Sequence, residues 1–351
     1  MTEGIKYIGS KKKIIPHILK IVRTLPDVRT ILDGFAGTTR VGQALRSEGY
    51  TVYSNDLSDY SYIFSKCYLE TTNYETLEKA QRIIDHLNSL DGKSGLLTRY
   101  YSGGSKSVKG GIQVENEIMF WQIKNTMKAD AIREYIDKYK DDEILFGILL
   151  TSLILALDKV DNTVGVQQAF LKRKWAPRSF NDLRLSIPYI PIYGPKGATY
   201  RLDTNLLIKN DIQFDAAYYD PPYTTHNYAS YYHIWDTLVK NSISEVSGII
   251  NRRKDILKSR YNKKQEALEA ISELILNTQS KYILISYNNE GIIPFEDLIF
   301  VCEQKGVVEV VEIDYRRNIM SQIGIYNSSG LKVGDPGVTK NIEYLIKVSV
   351  Q

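Results

Sequence analysis

Cysteine is nearly absent. The 351-residue chain carries two, Cys67 and Cys302, too few for a disulfide framework or a cysteine-based zinc site and at home in a reducing compartment. Histidine is also scarce. His17, His86, His226 and His233 show no metal-ligand spacing, so no metal is expected and all four read as surface or core residues. No apolar run approaches the roughly 20 residues a bilayer span needs. The most apolar stretch, 144–157, follows Asp141, Asp142 and Glu143 and precedes Asp158-Lys159, the pattern of a buried helix with an acidic first turn. MTEGIKYIGSKKK at the N-terminus has no apolar segment ending in a small-residue cleavage site, which predicts a soluble, cytoplasmic protein. Charge of one sign is missing too: 45 Lys and Arg against 41 Asp and Glu leave +4, which excludes a histone-like or tail-like polycation. Repeats, low-complexity tracts and long linkers are absent.

What is present is tyrosine, 26 of them against 9 Phe and 3 Trp. A flat ring with a polar tip serves for stacking on bases or covering a polar groove. At 25% charged and 43% hydrophobic residues, the chain is an ordinary globular protein rather than a disordered one. Its first sixty residues predict a helix over 14–24, a short strand at 30–32, a glycine turn, a helix over 41–48 and a strand at 51–54 ending on Asn55-Asp56. This is the opening of a doubly wound, mostly parallel α/β sheet, whose ligands lie beyond the carboxyl ends of the strands. Helices are then expected over 75–90, 115–139 and 142–157, and strands resume at 214–219, 281–286, 307–313 and 344–348. A catalytic domain of residues 1–64 and 191–351 is therefore interrupted by a largely helical insertion, 65–190.

Three segments carry chemistry. The strand 214–219 delivers Asp220-Pro221-Pro222-Tyr223 at its carboxyl end. Consecutive prolines fix the backbone and remove two amide donors, leaving carbonyls to accept. A carboxylate, a rigid carbonyl and a stacking ring together can grip the exocyclic amino group of a flat base. The turn Asp33-Gly34-Phe35-Ala36-Gly37-Thr38-Thr39 opens a helix, where small residues let a ligand approach the backbone. Asp56 follows 23 residues after Asp33 (56 − 33), close to the spacing of a ribose-binding acid.

Asp-Pro-Pro-Tyr resembles the motif of adenine-N6 DNA methyltransferases that use S-adenosylmethionine. Asp33, Phe35 and Gly37 stand at the matching positions of the class I methyltransferase cofactor motif, with Thr39 in place of a frequent second glycine. Lys6-Tyr7-Ile8-Gly9-Ser10-Lys11 is similar to the first motif of the D12, or Dam-like, family, with Ser10 replacing a glycine. The order of these segments, with a long insertion before Asp-Pro-Pro-Tyr, is that of the α group. The resemblance implies a class I methyltransferase fold that moves a methyl group from S-adenosylmethionine to N6 of an adenine flipped out of duplex DNA. It implies donor binding by Tyr7, Lys11, Asp33, Phe35, Ala36, Gly37, Thr38, Asp56 and Asp203, with Lys11 neutralising the donor's carboxylate and Asp203 beside its adenine. The insertion would recognise the target sequence.

Phosphate contacts are expected from Lys172, Arg173, Lys174 and Arg178 in one basic loop and from Arg252 and Arg253 in another. The resemblance further implies a bacterial, nucleoid-associated modification enzyme, with a cognate restriction endonuclease encoded separately, acting as a monomer or as a dimer on DNA. The rival readings are an N4-cytosine DNA methyltransferase, an RNA or protein amide methyltransferase, and a DNA-binding module with a degenerate methyltransferase fold.

Overall fold

A computed structural model describes residues 2–103, 118–171, 175–225, 227–243, 245–256, 258–316, 325–326, 332–334 and 340–351. Its centre is a sheet of seven strands: β1 (Thr30–Asp33), β2 (Thr51–Asn55), β3 (Ala198–Tyr200), β4 (Ala216–Tyr219), β5 (Tyr282–Asn288), β6 (Gly306–Arg316) and β7 (Lys340–Val350). They lie in the order β6-β7-β5-β4-β1-β2-β3. Neighbours from β5 to β3 run parallel, while β7 runs antiparallel to both β6 and β5. The ends of β1, β2, β4 and β5 therefore share one edge with the beginning of β7, where Glu343 pairs with Asn288.

Alternation along the strands builds two cores. Ile31, Val52, Tyr218, Leu284 and Leu345 face one; Leu32, Ala217, Tyr219, Ile283, Ile285 and Ile346 face the other. The helices α1 (Ile15–Val22), α2 (Arg40–Ser47) and α3 (Asp59–Ser65) join the first core. So do the helices α4 (Tyr74–Ser89), α5 (Ile123–Ile136) and α6 (Glu143–Lys159); α4 and α6 lie within two residues of the expected ends, whereas α5 starts at Ile123 rather than 115, because Trp121 and Gln122 are extended. Asp142 caps α6 by accepting from the Leu145 amide at 3.1 Å, as its acidic start predicts. From Leu145 onward the helix is buried almost all round. Hydrophobic contact runs without a break from β1 to the insertion. Beyond α7 (His233–Lys240), the second core is closed by α8 (Ala267–Asn277) and α9 (Phe295–Glu303), and α8 buries Ala267, Ala270, Ile271, Leu274 and Ile275 at helical spacing. Each free cysteine sits in one of these cores.

The strand β3 escapes the sequence pattern because its three residues are half-buried and carry no alternation. It is held next to β2 by the segment before it. Arg46, fully buried at the end of α2, donates to the carbonyls of Tyr68, Thr71, Gly194 and Pro195. Burial lowers its guanidinium to about 10, so it stays charged at neutral pH. Arg46→Ala leaves these carbonyls without their donor, and the expected loss is about 3 kcal/mol or more. Denaturant titration measures it; a loss under about 1 kcal/mol contradicts the role.

Candidate active site

All the expected donor-binding residues, from Tyr7 to Asp203, and the whole of Asp220-Pro221-Pro222-Tyr223 line one cleft of about 1400 Å³, measured with its open mouth. It lies at the carboxyl edge of the parallel strands, where such sheets bind ligands. Seven carboxylates line it against four cations: Asp33, Asp56, Asp59, Asp203, Asp220, Asp236 and Asp255 facing Lys11, Arg40, Lys240 and Arg253. Such a wall favours a positively charged ligand.

The floor is the turn after β1. Gly34 has no room for a side chain, since a Cβ would stand 2.7 Å from the Tyr219 ring. Gly37 (φ +51°) and Thr39 (φ +58°) are both left-handed. For a β-branched residue this costs of order 1 kcal/mol, and the buried Thr39 hydroxyl offsets it by donating to the Thr38 carbonyl at 2.7 Å and accepting from Gln43. The turn thus keeps a glycine-like shape without the second glycine. Asp56 is tied to it: one carboxylate oxygen accepts from the Gly37 amide, the other from Ser58, each at 2.9 Å. Burial nevertheless raises its pKa. Phe35 meets Tyr261 and Tyr219 edge to face. Asp203 caps a short helical turn through the Asn205 amide, and Tyr7 stacks on Tyr232 at 4.4 Å and on Tyr228 at 5.7 Å.

Asp33 ends β1, 1% exposed, with the Phe35 and Gly42 amides near its carboxylate but neither in full hydrogen-bond geometry. Burial first, then the charges of Asp220 and Asp56, push its pKa up to about 8. An unpartnered carboxylate aimed into a cleft fits a ligand that brings a donor or a positive charge.

The Asp-Pro-Pro-Tyr segment forms the wall above. Lys11, 8% exposed, reaches Asp220 Oδ1 at 2.9 Å and Glu343 Oε1 at 2.6 Å. Asp220 Oδ1 is buried and paired in charge with the Lys11 ammonium. Burial alone would lower the Lys11 pKa, but Asp220, Tyr223 and Glu343 together hold it well above the ordinary value. Burial raises Asp220 to about 6 against the pull of Lys11, with Glu343 adding to the rise. The ammonium also sits 5.2 Å from the centre of the Tyr223 ring, which meets Tyr287 edge to face at 6.0 Å. Lys11 thus stands beside Asp220 while lining the cleft in which it is expected to meet the donor's carboxylate.

Glu343 was not legible as a site residue. It lies 332 residues from Lys11, and its single visible signal is a lone acid at the head of an apolar strand. Asn288, at the end of β5, points its amide at Glu343 Oε2 at 3.4 Å. Tyr228 lines the cleft, whereas Tyr232 is buried and accepts from the Ile8 amide.

Two of the cations expected to meet phosphate are engaged within the protein. Arg253 is 5% exposed and clasps Asp255 with two nitrogens, so its guanidinium is spent inside the protein. Arg178 binds the Asp161 carboxylate at 2.7 Å and the Thr163 carbonyl, and Lys6 shares the same carboxylate at 3.0 Å. It braces the N-terminal segment against the end of α6. Arg252 is exposed. Lys172, Arg173, Lys174 and His226 lie outside the described residues. His233 belongs to the core, 1% exposed and held neutral, its pKa lowered to about 3 chiefly by burial. Among the described residues, no cluster of His, Cys, Asp and Glu could hold a metal ion, and no helix is long and apolar enough to cross a membrane.

A parallel sheet with one reversed strand, a glycine turn after β1 and an acid after β2 is the class I methyltransferase fold. Within that class the chain belongs to the D12 class N6 adenine-specific DNA methyltransferase family, which matches residues 7–299. It is 34% identical over 328 residues to the modification methylase StsI of Streptococcus sanguinis, covering 89% of this chain and 48% of that protein. It is 30% identical over 319 residues to the type II methyltransferase M.NlaIII of Neisseria lactamica, covering 89% of this chain and 91% of that one. M.FokI of Planomicrobium okeanokoites shares 28% over 323 residues, 88% of this chain and 48% of the relative. The chain therefore spans about half the length of StsI and M.FokI.

Asp33 gives a test of the cleft that needs no substrate. Its pKa rises from 3.8 to about 8 on folding, so the folded state binds the extra proton and stability falls as pH climbs between those values. Asp33→Asn removes that penalty. Its thermal midpoint should exceed wild type by a margin that widens from pH 5 to pH 8; a margin independent of pH contradicts the buried, unpartnered carboxylate.

Proposed function

We propose that the chain transfers a methyl group from S-adenosylmethionine to N6 of an adenine flipped out of duplex DNA, as the modification enzyme of a restriction–modification system. The observation that carries the reading is Asp220: a partly buried carboxylate held by Lys11 at 2.9 Å, sharing one cleft with Tyr223 and with the Asp33–Asp56 floor. The acidic lining fits a sulfonium donor, which would lie over Asp33 to Thr38 with its ribose toward Asp56 and its adenine toward Asp203 and Phe35. When bound, that donor supplies an electrophilic methyl group.

The protein's own part is positioning and charge. Tyr223 stacks on the flipped base. Asp220 and the Pro221 carbonyl accept from the two N6 hydrogens, which draws the nitrogen toward a tetrahedral shape and localises its lone pair. The N6–carbon bond forms as the carbon–sulfur bond breaks, and the electron pair stays on sulfur. The methylated nitrogen carries a positive charge until one proton leaves to Asp220 and then to water. Pro222 keeps the segment rigid. Residues 65–190 serve as the target-recognition insertion, with the phosphate backbone met by Arg252 and the basic loop 172–174. A separately encoded restriction endonuclease would cut the same site unmethylated. The enzyme would work in a bacterial cytoplasm, at the nucleoid, as a monomer or as a dimer on DNA.

Tritiated S-adenosylmethionine, the purified protein and unmethylated genomic DNA, followed by nucleoside mass spectrometry, test this directly. N6-methyladenine is expected; N4-methylcytosine changes the base, and label on RNA or protein alone overturns the reading. Asp220→Ala should cut the rate by about 10³-fold or more while donor binding stays within about threefold of wild type. Because Asp220 must be ionised to accept, the rate of the wild type should fall as pH drops through about 6. A rate that is flat down to pH 5 removes Asp220 from this role.

A further inference from the structure

Lys11 poses an electrostatic problem for the reaction proposed above, on which this inference rests. An ammonium 2.9 Å from Asp220 opposes the positive charge that develops on the amino nitrogen the carboxylate holds. Left to itself, Lys11 would also pair so closely with Asp220 that the two would present the nitrogen with no net charge. The protein supplies a second carboxylate. Glu343, 6% exposed, takes Lys11 at 2.6 Å, closer than Asp220 does. It reaches the site because β7 runs against its neighbours and begins where they end. Asn288, opposite Glu343 in the ladder, holds its other oxygen with Nδ2. The Asn288 Oδ1 accepts from the Glu290 amide at 2.9 Å, which fixes the orientation of that side chain. Glu343 is not among the residues that line the cleft, so it stands behind Lys11 rather than on the cleft wall.

We infer that Glu343 is a positioning residue for methyl transfer: by holding Lys11 it leaves the Asp220–Lys11–Glu343 group with one net negative charge and Asp220 free to accept from the amino group. The other ionisable groups around Asp220 are Asp33 from β1 and the phenols of Tyr218, Tyr223 and Tyr228. Asp33, raised to about 8, is mostly protonated at neutral pH and stands behind as part of the donor floor, so Glu343 is the carboxylate that shares the lysine with Asp220.

Glu343→Gln keeps the shape and removes the charge. The expected result is a fall in kcat on the order of tenfold or more, with KM for donor and DNA within about twofold of wild type. The acid limb of kcat should also move to lower pH, because Glu343 contributes to the raised pKa of Asp220. A residue that merely supports the fold would lower kcat without moving that limb, and this outcome, or an unchanged kcat, overturns the proposal. Should E343Q fail to fold, K11M and the double variant K11M/E343Q replace it, since the second removes both charges together. With no lysine to hold, E343Q should change the K11M rate by less than about twofold; a further tenfold loss contradicts action through Lys11. Wild-type protein runs beside each variant. If it forms no N6-methyladenine, the functional reading and this inference both fall, whereas an active wild type with an unaffected E343Q sinks the inference alone.

Discussion

A single buried ammonium, shared by two carboxylates, is the constraint around which the site is arranged. Lys11 is held between Asp220 and Glu343 at the carboxyl edge of the sheet. Each partner arrives on a different element: Lys11 on the N-terminal segment, Asp220 after β4 and Glu343 at the start of β7. A buried charge without partners costs several kcal/mol, so the three must come together or not at all. That requirement ties the N-terminus and the C-terminal strand to the Asp-Pro-Pro-Tyr segment. The same N-terminal segment is braced on its other side by Lys6, through Asp158 and Asp161 at the end of α6. Insertion and catalytic edge are thus coupled through one short stretch of chain.

The cleft gathers negative charge that folding alone would avoid. Asp33 and Asp220 are both carboxylates that burial penalises, and both have raised pKa values. Proteins keep such groups where function needs them. The proposed function gives both a use: an acidic floor for a cationic donor, and the Asp220 wall for an amino group. Arg46 and Thr39 show the opposite solution. Their buried polar atoms are satisfied locally, and they stabilise the turn and the edge strand that carry the site.

Much of this was legible in the sequence. The strand–glycine turn–helix opening, the acid after β2 and Asp-Pro-Pro-Tyr are local patterns, and local patterns survive into the fold because strand ends and tight turns constrain residue type directly. What was not legible depends on contacts far apart in the chain. Glu343 looks like a polar interruption of an apolar strand until the antiparallel direction of β7 brings it beside Asn288. That two carboxylates from distant elements hold Lys11 is equally invisible in the sequence. Arg253 and Arg178 look like surface cations because Asp255, two residues on, and Asp161, 17 residues back, give no sign in the sequence of pairing with them. The three-residue β3 carries no alternation, and its place is set by Arg46 holding the segment before it.

The position of Lys11 when the donor site is filled tests this account most directly. A crystal structure of the protein with S-adenosylhomocysteine, which keeps the donor's amino acid end, places the ammonium without any need for DNA. The account predicts Lys11 Nζ still within hydrogen-bond reach, about 2.6–3.2 Å, of both Asp220 and Glu343, with Asp33 facing the ligand's amino group. A lysine swung onto the ligand's carboxylate, with Asp220 and Glu343 left apart, would contradict it.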